Sequence, residues 1–223
     1  MLQKPLLPET VYHVYTHANG FENLFNSEEN YRFFLKKYTH YIYPIAETYA
    51  YCLMPNHLHL MIRIRSEKEV SQYMRLKKTE KLKESGLVNE SHNDEETLQG
   101  FQTLGEFSNI ISSQFSHLFN GYTQAFNKMY SRKGSLFIPN FKRKKANNEN
   151  YMTHLICYIH NNPIHHGFVK NLNDWTFSSF HTYLSDKQTN LNKKYMRDWF
   201  GKEEQFIKFH KNSKLPYKLM FEE

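Results

Sequence analysis

The sharpest alternation of hydrophobic and polar positions runs from residue 57 to residue 65 and predicts a β-strand. Side chains two apart point to the same side of a strand, so one face would be aliphatic: Leu58, Leu60, Ile62 and Ile64. The other face would carry two imidazoles, a methionine and two arginines: His57, His59, Met61, Arg63 and Arg65. Pro55-Asn56 predicts a turn just before the strand. The pattern fits two interpretations: an edge strand with solvated histidines, or a strand whose imidazoles converge on one divalent cation.

The same periodicities predict the other elements. We expect strands over 10–18, 47–54 and 135–145 and helices over 27–43, 66–83 and 192–210. Apolar residues spaced three and four apart predict one long helix over 104–129, with Gly121 a mild interruption. The polar, acidic segment 85–100 has no such period, and we expect a mobile insertion there.

A further helix is predicted from about residue 147, and Pro163 should end it near Asn161-Asn162, because the residue before a proline avoids the α conformation. Tyr158 and Asn162 would lie one turn apart on this helix. A tyrosine hydroxyl has a pKa of about 10, so it needs help to act as a nucleophile. A metal ion that polarises a phosphate would supply that help, and the amide oxygen of Asn162 would make a third ligand beside two imidazoles. Alternatively, Tyr158 is a core aromatic residue and Asn162 a helix cap.

Composition favours a soluble, cytoplasmic protein that binds a polyanion. The chain has 223 residues, a formal net charge of +7 and 36 aromatic residues (18 Phe, 16 Tyr and 2 Trp), which suits phosphates and exposed bases. Two cysteines are too few for a disulfide framework or a cysteine-rich zinc site, and no apolar run reaches the about 18 residues of a membrane span. Arg63 and Arg65, and the run Lys142, Arg143, Lys144 and Lys145, are candidate phosphate contacts. A solvated basic surface is the alternative for the run.

Taken together, these features resemble the single-tyrosine HUH transposases, in particular the REP-associated tyrosine transposases. The resemblance covers about residues 10–185 and rests on these blocks: Tyr12-His13-Val14, Ala50-Tyr51-Cys52-Leu53-Met54-Pro55-Asn56-His57-Leu58-His59-Leu60, Gly134-Ser135-Leu136-Phe137, Tyr158-Ile159-His160-Asn161-Asn162-Pro163 and Trp175-Thr176-Phe177-Ser178-Ser179-Phe180. Two departures stand out. The separation between His59 and Tyr158 is long, and Asn162 stands where the insertion-sequence branch more typically has Gln. The second departure fits the REP-associated branch but leaves the third metal ligand open.

The resemblance implies an α+β fold: a ferredoxin-like antiparallel sheet with packed helices. The residue pattern itself adds a long helical insertion and a basic C-terminal extension, which would either contact DNA or be a solvated helix. The catalytic domain would span 1–185 and the extension 186–223. By position, His57, His59 and Asn162 would hold Mg²⁺ or Mn²⁺, and Tyr158 would be the nucleophile.

The implied reaction cleaves single-stranded DNA beside a hairpin through a 5′-phosphotyrosine link and later rejoins it without ATP. The protein would act near the bacterial nucleoid as a monomer or homodimer. Two alternatives remain: a hairpin-binding protein whose nuclease site has decayed, and a metal phosphohydrolase that uses water as its nucleophile.

Overall fold

Four antiparallel strands form one sheet in the order β2-β3-β1-β4. The structure, a computed structural model, describes residues 4–85 and 101–212. Its strands are β1 (Val11–His17), β2 (Ala46–Leu53), β3 (His57–Ile64) and β4 (Lys142–Lys145). This is the strand order of a ferredoxin-like sheet, so the predicted fold class is confirmed. Since β3 lies between β2 and β1, the edge-strand interpretation of the histidine strand is wrong.

Helices cover both faces of the sheet. Those before β4 agree with the predicted ranges to within two residues, and α3 passes through Gly121 without a break. Within the described residues the helices are α1 (Glu28–Tyr41), α2 (Glu67–Glu84), α3 (Leu104–Met129), α4 (Glu149–His165), α5 (Phe180–Tyr183), α6 (Lys194–Phe200) and α7 (Glu203–Asn212), with a 3₁₀ turn at Leu172–Asp174. No helix described here combines the length and apolarity that crossing a bilayer requires.

Two hydrophobic cores form, one on each face of the sheet. The aliphatic side chains of β3 pack with residues of α1 and α3 such as Phe34 and Phe115. On the opposite face, Met61 of β3 packs with residues of α4 and α7 such as Ile156 and Phe206. Because α4 lies on the face that carries the histidines, that face is buried.

The fourth strand is shorter than predicted. Only Lys142–Lys145 pairs with β1, and the segment before it makes a single isolated bridge between Phe137 and Ala18. Pro139 lacks the N–H group that a ladder needs, and Asn140 has a positive φ of 61°, which extended strands do not allow. These two residues explain why the strand begins late.

The tyrosine helix is longer than predicted. It runs through Pro163 to His165, and the His166 N–H donates to the Asn162 carbonyl oxygen at 3.0 Å. Proline removes one helical hydrogen bond, but every residue from 155 to 163 is buried, and this packing keeps the helix intact. Asn162 therefore lies inside the helix, and its interpretation as a cap is wrong.

The C-terminal region also differs from prediction. The single helix expected over 192–210 is divided into α6 and α7 at Gly201, whose φ of +68° favours glycine and ends a helix. Both helices pack against α4. The boundary at residue 185 stays a prediction. Most of the predicted mobile insertion (86–100) and residues 213–223 lie outside the described residues.

Candidate active site

The candidate site is a cluster of histidines that two neighbouring strands place on one face of the sheet. In the register of β1 and β3, Tyr15 lies opposite His59 and His17 opposite His57. Directly paired residues share a face, so His13, two residues before Tyr15, lies on it too. His13, His57 and His59 are 0, 2 and 1 % exposed. The interpretation of solvated histidines is therefore wrong.

Helix α4 places the other two predicted residues against these imidazoles. The side-chain Oδ1 of Asn162 lies 3.1 Å from His57 Nε2. The ring of Tyr158 meets the His59 ring edge to face, with centroids 5.3 Å apart and an interplanar angle of 83°. Tyr158 and Asn162 are one turn apart and both are buried. The fold thus brings together all four residues singled out as nucleophile and metal ligands.

The two ring nitrogens of His57 both face oxygen atoms. Nδ1 lies 2.8 Å from the side-chain oxygen of Asn56, and Nε2 faces Asn162 Oδ1. The other amide atom of Asn162, Nδ2, is directed at the Tyr158 carbonyl oxygen at 3.5 Å. A neutral imidazole has one N–H group, so one of the two oxygens faces a nitrogen lone pair. Either a protonated ring or a cation between nitrogen and oxygen satisfies this arrangement.

His59 has one nitrogen with a hydrogen bond and one without. Its Nδ1 lies 3.0 Å from His13 Nε2, whereas its Nε2 is buried and has no hydrogen-bond partner among the described residues. Burial, assisted by neighbouring histidines, holds the pKa of His59 well below its usual value. Burial and the nearby Lys144 charge lower the pKa of His13 to about 3. Both rings are therefore neutral at pH 7, the form in which histidine binds metals.

The residues present fit a divalent cation. Adjacent ligands around an octahedral Mg²⁺ lie about 3 Å apart, close to the 3.1 Å between His57 Nε2 and Asn162 Oδ1. The unpartnered Nε2 of His59 would be a further donor. Among the described residues, no group of three or more His, Cys, Asp or Glu side chains is arranged to hold a metal, and the histidines of this cluster do not form one by themselves. A metal here would depend on the amide oxygen of Asn162.

Sequence reasoning missed part of this cluster. Nothing in the local sequence distinguishes His13 from a structural or solvated histidine, yet it contacts His59 directly. Beside His57 lie the rings of His17 and His166, each with its centroid 4.8 Å from the His57 centroid. The alternation of His13, Tyr15 and His17 in the first strand was the signal that could have found two of them.

The basic run is split between the two faces of the sheet. Lys142 and Lys144 pair with Tyr15 and His13 and so lie on the histidine face, with Lys142 Nζ 6.0 Å from the Tyr15 ring centroid. Arg143, opposite Val14, lies on the other face with Lys145. Its guanidinium donates to the Lys4 carbonyl oxygen at 2.6 and 3.1 Å. Only half of the run is therefore placed beside the candidate site.

Arg63 and Arg65 lie at the far end of β3. Arg63 is six residues from His57, or about 20 Å along an extended strand. It pairs with Glu9 at 3.0 Å and Glu47 at 3.4 Å, and Arg65 pairs with Glu69 at 3.1 Å. The fold does not bring these arginines to the histidines, and their contact with DNA stays a prediction.

Sequence comparison finds relatives for parts of this chain. No protein-family model matches the chain. The REP-associated tyrosine transposase of Escherichia coli is 32 % identical over 79 residues, 35 % of this chain and 45 % of that protein, so the match spans less than half of the relative. A protein of Haemophilus influenzae has provisionally been given the same name. It is 24 % identical over 168 residues, which are 74 % of this chain and 73 % of the relative.

A solved structure is similar in fold over most of the chain. It is described as the REP-associated tyrosine transposase bound to a REP hairpin, with a TM-score of 0.53 over 83 % of this chain and 85 % of that one, at 17 % identity. This chain resembles the REP-associated tyrosine transposases. The resemblance drawn from the sequence blocks is therefore confirmed. The roles of Tyr158, His57, His59 and Asn162 are taken up below as proposals.

Proposed function

We propose that the protein is a transposase of the REP-associated tyrosine type that cleaves and rejoins single-stranded DNA beside a hairpin. The observation that carries this proposal is the meeting of Tyr158 and Asn162 on α4 with His57 and His59 on β3. These residues are about a hundred positions apart, and only the fold brings them together. The names of the relatives and the hairpin-bound structure support hairpin DNA as the substrate.

In this mechanism Tyr158 is the nucleophile. Its hydroxyl oxygen attacks the phosphorus and forms a P–O bond, while the bond from phosphorus to the 3′ oxygen breaks. The tyrosine loses one proton and the departing 3′ oxygen gains one, so the step is balanced and leaves a 5′-phosphotyrosine and a 3′-OH. Attack by a 3′-OH on the phosphotyrosine reverses the step and rejoins a strand. No ATP is required, because the phosphodiester is replaced by another phosphate ester.

His57, His59 and Asn162 would hold the divalent metal, Mg²⁺ or Mn²⁺. When bound, the metal supplies Lewis-acid polarisation of the scissile phosphate. In the metal-bound form, Asn56 would accept a hydrogen bond from His57 Nδ1, which would orient the ring and leave its Nε2 lone pair toward Asn162. Tyr158 is only 2 % exposed, so its hydroxyl would have to become accessible to the DNA strand before this attack.

Positive charge guides the DNA in this proposal. The chain carries a formal net charge of +7, and the edge strand β4 places Lys142 and Lys144 on the same face as the histidines. A DNA strand that lies along β4 would have its phosphates beside the lysine ammonium groups and its cleavable bond near Tyr158. A substrate in chromosomal DNA would place the action of the protein in the bacterial cytoplasm, at the nucleoid.

The decisive experiment follows the covalent link. Single-stranded DNA carrying a hairpin and a 3′ label is incubated with Mg²⁺ or Mn²⁺ and the parent, Tyr158→Phe or Tyr151→Phe, then run on denaturing gels with and without protease. Tyr151 lies on the same helix, two turns earlier, and is the matched control. We expect label to travel with the parent and the Tyr151→Phe protein and not with Tyr158→Phe.

Other results would overturn specific parts of the proposal. An adduct on Tyr158→Phe would place the nucleophile elsewhere. Cleavage without any adduct would make water the nucleophile, as in a metal phosphohydrolase. Tight hairpin binding without cleavage by the parent would make the protein a hairpin-binding protein with a decayed site.

A further inference from the structure

We propose that His13 is a positioning residue: its Nε2 accepts a hydrogen bond from His59 Nδ1 and so keeps the Nε2 of His59 free to bind metal. This inference rests on the proposed function, because it concerns the same metal site. It assigns a role to a residue of β1 for which the local sequence pattern alone indicates none.

The first support is geometric. His13 Nε2 and His59 Nδ1 are 3.0 Å apart, and the two rings stack with centroids 5.2 Å apart and an interplanar angle of 21°. The contact joins the two central strands, β1 and β3, whose backbones are paired along their whole length. Both side chains are buried, so bulk water does not compete for the hydrogen bond. The arrangement holds the His59 ring rigidly.

The second support is the count of protons and lone pairs. Two neutral imidazoles joined by one N–H···N bond have two possible arrangements. If His13 Nε2 donates, the proton of His59 is on its Nε2, and that nitrogen cannot bind a metal. If His59 Nδ1 donates, its Nε2 presents a lone pair. Only the second arrangement makes His59 a ligand.

The third support comes from the two ring nitrogens that have no hydrogen-bond partner. His59 Nε2 and His13 Nδ1 are buried and lack hydrogen-bond partners within the described part of the chain. An unsatisfied buried polar group costs about 1–3 kcal/mol. A cation at His59 Nε2 removes one of these penalties, and it does so only when His59 Nδ1 is the donor to His13. Metal binding and the hydrogen bond therefore favour each other.

His13 occupies the position of a residue that supports a metal ligand from behind. Its Nε2 lies 3.0 Å from the Nδ1 of His59, which is the ring nitrogen that is not the candidate ligand atom. Partners of this kind orient a metal-binding histidine, and their loss typically lowers metal affinity by about 10–100-fold.

The test measures Mn²⁺ affinity of the full-length, DNA-free protein by titration with electron paramagnetic resonance detection. His13→Leu fills the space but accepts no hydrogen bond, whereas His13→Gln offers an amide oxygen near the position of Nε2. His40→Leu is the control, since His40 is exposed on α1, which packs on the opposite face of the sheet. We expect Leu at 13 to weaken Mn²⁺ binding about 10–100-fold, with Gln largely restoring it and His40→Leu leaving it near the parent value.

A second measurement covers the case in which His13→Leu does not fold. Nitrogen-15 NMR of the Mg²⁺-loaded parent reads which ring nitrogen carries the proton. We expect His59 to be protonated at Nδ1 and to show a coupling through the hydrogen bond to His13 Nε2. A proton on His59 Nε2, or parental Mn²⁺ affinity in a folded His13→Leu, would overturn the inference.

The double variant His57→Ala, His59→Ala separates this inference from the proposed function. If it binds Mn²⁺ as the parent does, the metal site itself is wrong. If it loses Mn²⁺ while His13→Leu keeps it, the metal site stands and only the role of His13 fails. The phosphotyrosine adduct is measured independently of both.

Discussion

The structure contains two buried histidine pairs, His160 with His210 and His13 with His59, and they differ in how many of their ring nitrogens have hydrogen-bond partners. In one pair, His160 Nδ1 lies 2.8 Å from His210 Nε2, His160 Nε2 lies 2.7 Å from the Ser179 hydroxyl, and His210 Nδ1 lies 2.8 Å from the Phe206 carbonyl oxygen. All four nitrogens have partners. In the pair of His13 and His59, two of the four have none among the described residues.

The satisfied pair has one consistent pattern of protons. The Phe206 carbonyl can only accept, so His210 is protonated at Nδ1 and its Nε2 accepts from His160 Nδ1–H. The Ser179 hydroxyl then donates to His160 Nε2. This closed network joins α7 and the segment before α5 to α4, and it needs no ligand.

The difference teaches that burial of histidines does not by itself indicate function. A closed network stabilises packing, whereas a buried network with open nitrogens is destabilising until something binds it. His160 belongs to α4, and His13 and His59 contact Tyr158 of the same helix, so α4 links the closed pair to the candidate site. The following predictions test this contrast.

The largest expected effect is on catalysis at the open cluster, by which we mean the buried histidines His13, His57 and His59. Replacing His57 and His59 together with Ala should abolish Mg²⁺- or Mn²⁺-dependent cleavage, because no imidazole ligand remains on β3. Hairpin affinity should survive, since it depends mainly on phosphate contacts. A gel assay for cleavage and a fluorescence titration for binding measure the two properties. Cleavage at the parental rate would show that the metal is held elsewhere.

The closed pair is His160 with His210. Its replacement should lower stability and leave metal affinity unchanged. His160→Ala leaves His210 Nε2 without its partner, removes one hydrogen bond from the Ser179 hydroxyl and creates a cavity, so the free energy of unfolding should fall by about 2–4 kcal/mol. Mn²⁺ affinity at 10 °C, where the variant remains folded, should not change. Urea unfolding checks the first expectation, with the exposed His40→Ala as control. A loss below about 0.5 kcal/mol, the range of ordinary surface substitutions, would refute the structural role.

The closed pair should also make stability depend on pH. Burial lowers the pKa of His210 from 6.5 to about 4 and holds the pKa of His160 well below its usual value. As pH falls, the two imidazoles become protonated in the unfolded chain before they do so in the folded protein. Their contribution to the free energy of unfolding is therefore complete above pH 6.5 and is lost as pH falls toward 4. At pH 5 the loss from His210 should be about 2 kcal/mol. Urea unfolding at several pH values from 7 to 5 measures this dependence. The free energy of unfolding should fall less steeply with decreasing pH for His210→Gln than for the parent, and equal slopes would contradict the prediction.

The smallest effect concerns the split basic run. Neutralising Lys142 and Lys144 with Gln should lower the salt dependence of DNA binding by about 0.7–0.9 per lost phosphate contact, because both lie on the face of the open cluster. The matched control is Arg143→Gln with Lys145→Gln on the opposite face, and we expect its slope to stay closer to that of the parent. Arg63→Gln with Arg65→Gln tests the two ion-paired arginines in the same titration. Equal losses from both halves of the run would show that the face does not matter.

The sequence by itself determined the local features of the site. Alternation placed His57 and His59 on one strand face, and helical spacing placed Tyr158 one turn from Asn162, because both periods are properties of the backbone. The stripe of apolar residues gave α3 its observed limits for the same reason. The sequence blocks also indicated the family that the comparisons support.

Only the tertiary structure decided how these features meet. The register between β1 and β3 brought His13 against His59 across 46 positions of sequence, and no local period encodes such a pairing. Packing of α4 on the sheet buried the histidines and carried the helix through Pro163, against the local preference that should have ended it. Which nitrogens of the two histidine pairs have partners depends on contacts between distant segments. The difference between a structural pair and a candidate site therefore becomes visible only in the folded chain.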